Sequence, residues 1–129
     1  MAYHDKDDLD TLWGSRNVAY WADKDRDANA GNIAARKAWA IAATEAMMDE
    51  YLENCGYTVP IRDKADAVPT SIMVLATMFT GVLLYTSSGI EHYSFESGKM
   101  LHALSAIEHN AKEELLAYKA GTRKIKGAV

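Results

Sequence analysis

The chain of 129 residues has a single cysteine, only two prolines and two phenylalanines, and no charged side chain between positions 67 and 90. Each shortage excludes something. One thiol, Cys55, cannot form an internal disulfide and fits a reducing compartment; beside a helix end it reads as a small apolar filler. Scarce proline, together with six methionines and many alanines, tilts the composition from sheet toward helix. Glycine-rich phosphate loops, cysteine clusters and paired carboxylates in apolar surroundings are absent from the sequence. Nothing here argues for an enzyme, and no cofactor is expected. The opening Met-Ala-Tyr-His-Asp-Lys-Asp-Asp has no apolar core of the kind a signal peptide needs.

The uncharged stretch raises the question of a membrane. Its strongly apolar part, residues 72–85, is interrupted by Thr77, Thr80 and Gly81. A bilayer span needs ~20 apolar residues, so a fully buried helix is the better expectation. Hydrophobic residues at 49% and charged residues at 25% are what a single globular domain with one real core carries.

Net charge is −4, unevenly distributed. The last eleven residues hold Lys119, Arg123, Lys124 and Lys126 and no acid, giving +4, so the preceding 118 carry −8 from 10 bases against 18 acids. Such a body does not grip nucleic acid, because phosphate affinity comes mainly from Lys and Arg. The basic end suits an acidic partner.

Capping signals divide the chain into helices. Asp7-Asp8-Leu9 opens a short helix that stops at Gly14, and Ser15 caps a second one with Val18 and Trp21 on one face. A polar loop over 23–31 leads to Asn32, the expected cap of a long helix over 33–54. Its buried stripe is expected at Ile33, Ala40, Met47 and Tyr51, flanked by Trp39 and Met48. Gly56 is placed to end that helix in a left-handed cap. Residues 57–67 read as an extended, wet connection, since Pro60 keeps Val59 out of helical geometry. Pro69 then opens an apolar helix running to 86, with Thr77 and Thr80 bonding back to the preceding turn and Gly81 permitting a close crossing. In the last helix, over 96–120, Met100, Leu104, Ile107, Ala111, Leu115 and Tyr118 form a single stripe that ends at Gly121. The expectation is one all-α domain over 1–121: a small helical bundle of two short N-terminal helices and three longer ones. A basic C-terminal tail follows over 122–129.

Candidate sites are few. Asp23, Asp25 and Asp27 alternate as in a calcium loop, which wants glycine at its sixth position and glutamate at its twelfth; Ala28 and Ala34 stand there instead. A helix-capping loop is the expectation, and no metal site is assigned. On one helix, His102 and His109 lie about 10 Å apart along the axis, too far to share an ion, and His92 is elsewhere. Ser105, His109 and Glu113 follow one another at four-residue steps but lack an oxyanion donor, because mid-helix N–H groups are already bonded. Trp13, Trp21, Trp39, Tyr51 and Tyr57 are candidates for core or subunit contact. Of these, Trp13, Trp21, Trp39 and Tyr57 are the subunit-interface candidates, since large aromatic residues anchor protein interfaces.

In order along the chain, Leu9 and Trp13-Gly14 close a short helix, and the Asp-rich 23–27 loop follows. An Ala-rich helix then ends Met48-Asp49-Glu50-Tyr51-Leu52, ahead of Tyr57-Thr58-Val59-Pro60-Ile61. Next come a Pro-initiated apolar helix ending Leu84-Tyr85 and a final helix running into Ala120-Gly121-Thr122-Arg123-Lys124-Ile125. This series resembles the small head–tail connector (adaptor) proteins of tailed bacteriophages. It covers most of the chain, and its weight lies in order and spacing. Met48 stands where isoleucine is usual, and the aspartate loop lacks its usual glycine. The resemblance implies a structural virion protein of the neck between capsid and tail, assembled in the host cytoplasm. It would dock on the portal protein as a homo-oligomeric ring, commonly of twelve copies. It would extend the channel for double-stranded DNA without sequence-specific binding and present a surface to the next neck or tail protein. Family logic places portal docking on Arg123, Lys124, Ile125 and Lys126, with no membrane involved. An acidic channel wall lets DNA slide rather than stick. The alternatives are another neck or tail-completion protein, or a soluble helical binding or regulatory module.

Overall fold

The computed structural model describes residues 3–24, 27–88, 95–121 and 124–125, the stretch 95–105 by its backbone alone. Five helices follow in order: α1 (Lys6–Trp13), α2 (Ser15–Ala22), α3 (Ala30–Asn54), α4 (Thr70–Thr86) and α5 (Phe95–Ala120), with no strand among the described residues. The all-α bundle expected from the sequence is the fold observed.

The caps explain the boundaries. Asp5 accepts from the Asp8 N–H and the Asp8 carboxylate accepts from the Asp5 N–H, closing a capping box on α1. Gly14 turns the chain at φ 88°, which few other residues tolerate, and both ends α1 and precedes α2. Asn29, not Asn32, caps α3 by accepting from the Asn32 N–H at 3.0 Å, so α3 begins earlier than its periodicity suggests. At its far end the Tyr57 N–H reaches the Leu52 carbonyl at 3.1 Å and the Gly56 N–H reaches Glu53 at 3.0 Å across Gly56 at φ 94°, a Schellman closure. The connection beyond carries a cis Val59–Pro60 bond and is closed by Asp63, whose carboxylate accepts from the Ala65 and Ala67 N–H groups. Pro69 caps α4 and needs no N–H there.

α4 is the central element, packing on α1, α2, α3 and α5. Ten of its residues are buried, which accounts for its near-continuous apolarity. Thr77 and Thr80 donate to the carbonyls of Met73 and Ala76 at 2.7 and 2.8 Å, so their hydroxyls are satisfied inside the bundle. Around α4 the side chains gather into two cores. The first joins Tyr3, Met48, Leu52, Ile61, Ile72 and Leu115, together with Tyr118 and Ile125. The second joins Leu9, Val18, Trp21, Ala40, Leu84 and Tyr85.

The inward face of α3 differs from the expected stripe. Ala40, Thr44, Met48 and Leu52 are buried at steps of four, while Met47 is 49% exposed and Ile33 and Tyr51 are only partly buried. The stripe is rotated by about one residue, because α3 docks along α4 in an i, i+4 row. On α5 the expected stripe holds where side chains are described: Ala111, Leu115 and Tyr118 are buried and Ile107 is partly so. Met100 and Leu104 lie outside the described side chains.

Candidate functional site

The aromatic candidates fall into different environments. The Trp13 indole N–H donates to the Thr77 carbonyl at 2.8 Å, and its ring lies flat enough on α4 that a Cβ on Gly81 would come within 2.1 Å of it. Trp13 meets Trp21 edge to face at 5.7 Å, and Trp21 meets Tyr85 likewise at 5.5 Å. Trp21 is 3% exposed. Trp21 is thus packed inside the protomer's own second core, with Trp13 partly buried against it. Tyr57 packs partly against the first core, its hydroxyl accepting from the Ile125 N–H at 3.2 Å. Trp39 is the most open of the four, 45% exposed, with the Arg36 guanidinium 4.4 Å from its ring centroid and anchored on the Ser87 carbonyl.

The basic end is likewise not a free arm where it is described. Ile125 is 5% exposed within the first core, while Lys124 remains exposed. Ile125, expected among the docking residues, therefore packs against its own chain, as burial of an apolar side chain favours. Arg123 and Lys126 lie outside the described residues.

The aspartate loop works as a cap. Asp23 accepts from the N–H groups of Asp27 and Ala28 at 3.2 and 3.0 Å, and Asp27 accepts from the Asn29 N–H at 3.0 Å. Asp25 lies outside the described residues, and no cluster of metal-ligating side chains occurs among those described. His109 is exposed with Glu113 at 4.0 Å. His92 and the side chains of His102 and Ser105 lie outside the description. No helix among the described residues is long and apolar enough to cross a membrane.

Two features escaped sequence reasoning. One is the N-terminal pair Tyr3 and His4, buried in an apparently polar segment. The Tyr3 hydroxyl donates to the Asp49 carboxylate and accepts from the Ile61 N–H at 3.0 Å, which ties the chain end to α3 and to the corner. Burial, then the Asp49 hydrogen bond, raises its pKa well beyond the usual tyrosine range. His4 Nε2 lies 2.9 Å from the Thr80 hydroxyl. That hydroxyl donates to Ala76, so it accepts from His4, and the Nδ1 lone pair faces no donor. Burial lowers the His4 pKa against the opposing pull of Asp8 and Asp5.

The other is apolar surface. Between α3 and α5, floored by Phe79 of α4, a groove of about 320 Å³ is lined by Met47, Tyr51, Leu115 and Leu116, with Lys112 on its rim. On α1, Asp8, Thr11 and Leu12 border a second hollow of about 260 Å³ against Met73, Val74 and Thr77 of α4. Met47, Leu116 and Leu12 are each about half exposed, at 49%, 51% and 47%. Leu116 stands off the expected stripe of its helix, whereas Met47 was expected on the buried stripe of α3 and faces outward instead. No family model, curated protein or solved structure matches this chain.

Proposed function

We propose that this chain is a structural neck protein of a tailed phage: a head–tail connector that docks as a ring on the portal, extends the DNA channel and offers the attachment surface for the next neck or tail protein. The observation that carries the proposal is the order of landmarks from Trp13-Gly14 through the Leu52–Pro69 corner to the basic end. Each falls at a structural joint: Gly14 between two helices, Gly56 in a helix closure, and Pro69 at the start of the central helix. A bundle with half-exposed Leu12, Trp39, Met47 and Leu116 also suits a protein whose surface is used for contacts. Lys124, Arg123 and Lys126 carry the portal-docking charge, with Ile125 pinning their base to the bundle.

Electron microscopy and native mass spectrometry of the chain co-expressed with its neighbouring portal gene test the proposal. A ring with portal symmetry is the expected result; a persistent free monomer would remove portal docking. The groove between α3 and α5 favours a second reading, a helical binding module, since its volume reaches the lower end of ligand pockets. That reading predicts a stable monomer whose melting temperature rises with a small apolar ligand.

A further inference from the structure

The two apolar hollows lie on opposite sides of α4. Met73, Val74 and Thr77 floor one; Phe79 floors the other, and Val82 and Leu83 line the hollow beside it. At ~100° per residue the two sets are about 180° apart around the helix axis. Each hollow is edged by an outer helix bearing the same two-residue device. On α1, Asp8 and Leu12 are four residues apart; on α5, Lys112 and Leu116 are four residues apart. Both leucines are about half exposed, at 47% and 51%. The charges have opposite sign.

The geometry points to a head-to-tail contact between copies of this chain, in which α1 of one protomer lies along the α3/α5 groove of the next. Leu12 would enter between Met47 and Leu116, and Asp8 would meet Lys112. With one turn separating charge from leucine on both helices, the two pairs come into register together when α1 and α5 run in the same direction. Lys112 already touches Glu108 at 2.6 Å, and Asp8 accepts from the Asp5 N–H at 3.0 Å. Each can take a further partner, because an ammonium has three protons and a carboxylate several lone pairs. The apolar insertion supplies the affinity and the charge pair the direction. Because the surfaces are different and lie on opposite sides, the contact is heterologous: each copy leaves one face open for the next, and repetition closes a ring or extends a filament. The inference deepens the connector reading by naming its subunit contact, and it fails separately from portal docking.

Paired cysteines test it in a Cys55→Ser background, using the chain both alone and with the portal. Leu12→Cys with Leu116→Cys in one chain should give a ladder of disulfide-linked multimers on mild oxidation, while neither substitution alone gives more than traces. Dimers formed by Leu116→Cys alone would overturn the inference in favour of a symmetric pair. A ring on the portal without a ladder would overturn it and leave the connector reading standing. A ladder without portal binding would support it and remove that reading. As a check that needs no thiol, Leu12→Glu or Leu116→Arg should each abolish multimers, and the double variant should restore them. Unchanged multimers in either single variant, or a monomer whose groove instead takes a fatty acid with a rise in melting temperature, would overturn it.

Discussion

The two cores flanking α4 are held by different means. The second is an aromatic joint: Trp13, Trp21 and Tyr85 stand edge to face, and Trp13 presses on the bare backbone at Gly81. It is made mostly of shape, with a directional bond from the Trp13 indole to the Thr77 carbonyl. The first core collects residues from both ends of the chain and secures them through phenolic hydroxyls: Tyr3 to Asp49 and Ile61, Tyr51 to the Leu115 carbonyl, and Tyr57 to Ile125. Sequence separation does not explain the difference, since Trp13 lies 64 residues from Thr77 in the second core and Tyr51 lies 64 from Leu115 in the first. What differs is the tie, interlocking rings in one core and directional hydroxyl bonds in the other.

The sharpest way to break the comparison is to empty each core in turn. Trp21→Ala should cost about 4 kcal/mol and Leu52→Ala about 3 kcal/mol in chemical denaturation. Because α4 belongs to both cores, either variant should still unfold in one step. Tryptophan fluorescence, reporting mainly the second core, should therefore coincide with far-ultraviolet circular dichroism. Gly81→Val comes next. Its side chain would overlap the Trp13 ring, and a loss of about 2 to 3 kcal/mol with a weakened near-ultraviolet signal is expected.

Polar ties should give smaller, pH-dependent effects. Tyr3→Phe leaves the buried Ile61 N–H without its acceptor and should cost about 1 to 2 kcal/mol. The Tyr3 hydroxyl stays neutral in the fold at pH values where a free tyrosine ionises, so its contribution is intact below pH ~10 and is lost as pH rises above it. Tyr3→Phe should flatten that alkaline limb. His4 has the opposite sign: its folded pKa is depressed, so its contribution is intact above pH ~6.5 and is lost as pH falls toward the folded value. His4→Gln should make the acid limb shallower. The last effect belongs to the partly buried pair of Lys37 and Asp10 at 3.4 Å, where Lys37→Met should cost about 1 kcal/mol by leaving a covered Asp10 oxygen without its cation.

The sequence made some of this legible and hid the rest for physical reasons. Backbone demands are local, so Gly56, Pro69, Thr77 and Thr80 announced their roles, and Gly81 announced a crossing though not the indole that fills it. Facing directions were harder on α3, where alanines surround the axis and an apolar residue stands on nearly every side; the packed row had to be chosen by α4. Tyr3 and His4 have no periodic neighbours, and only the distant Asp49, Ile61 and Thr80 make their burial favourable. Trp21 turned inward because an aromatic side chain suits a core and an interface equally, and the exposed apolar surface is formed by Leu12, Tyr20, Met47 and Leu116 as well as Trp39.

The gathering of both chain ends in the first core also orders events during synthesis. Every residue of the second core lies between Leu9 and Tyr85, so that joint can be completed while the ribosome is still adding α5. The first core must wait for Leu115, Tyr118 and finally Ile125. Until those residues have been added, Tyr3 and Leu52 lack their last neighbours, and the α5 side of the groove has not been made. A nascent chain therefore cannot present the complete groove to another copy before Leu116 has left the ribosome.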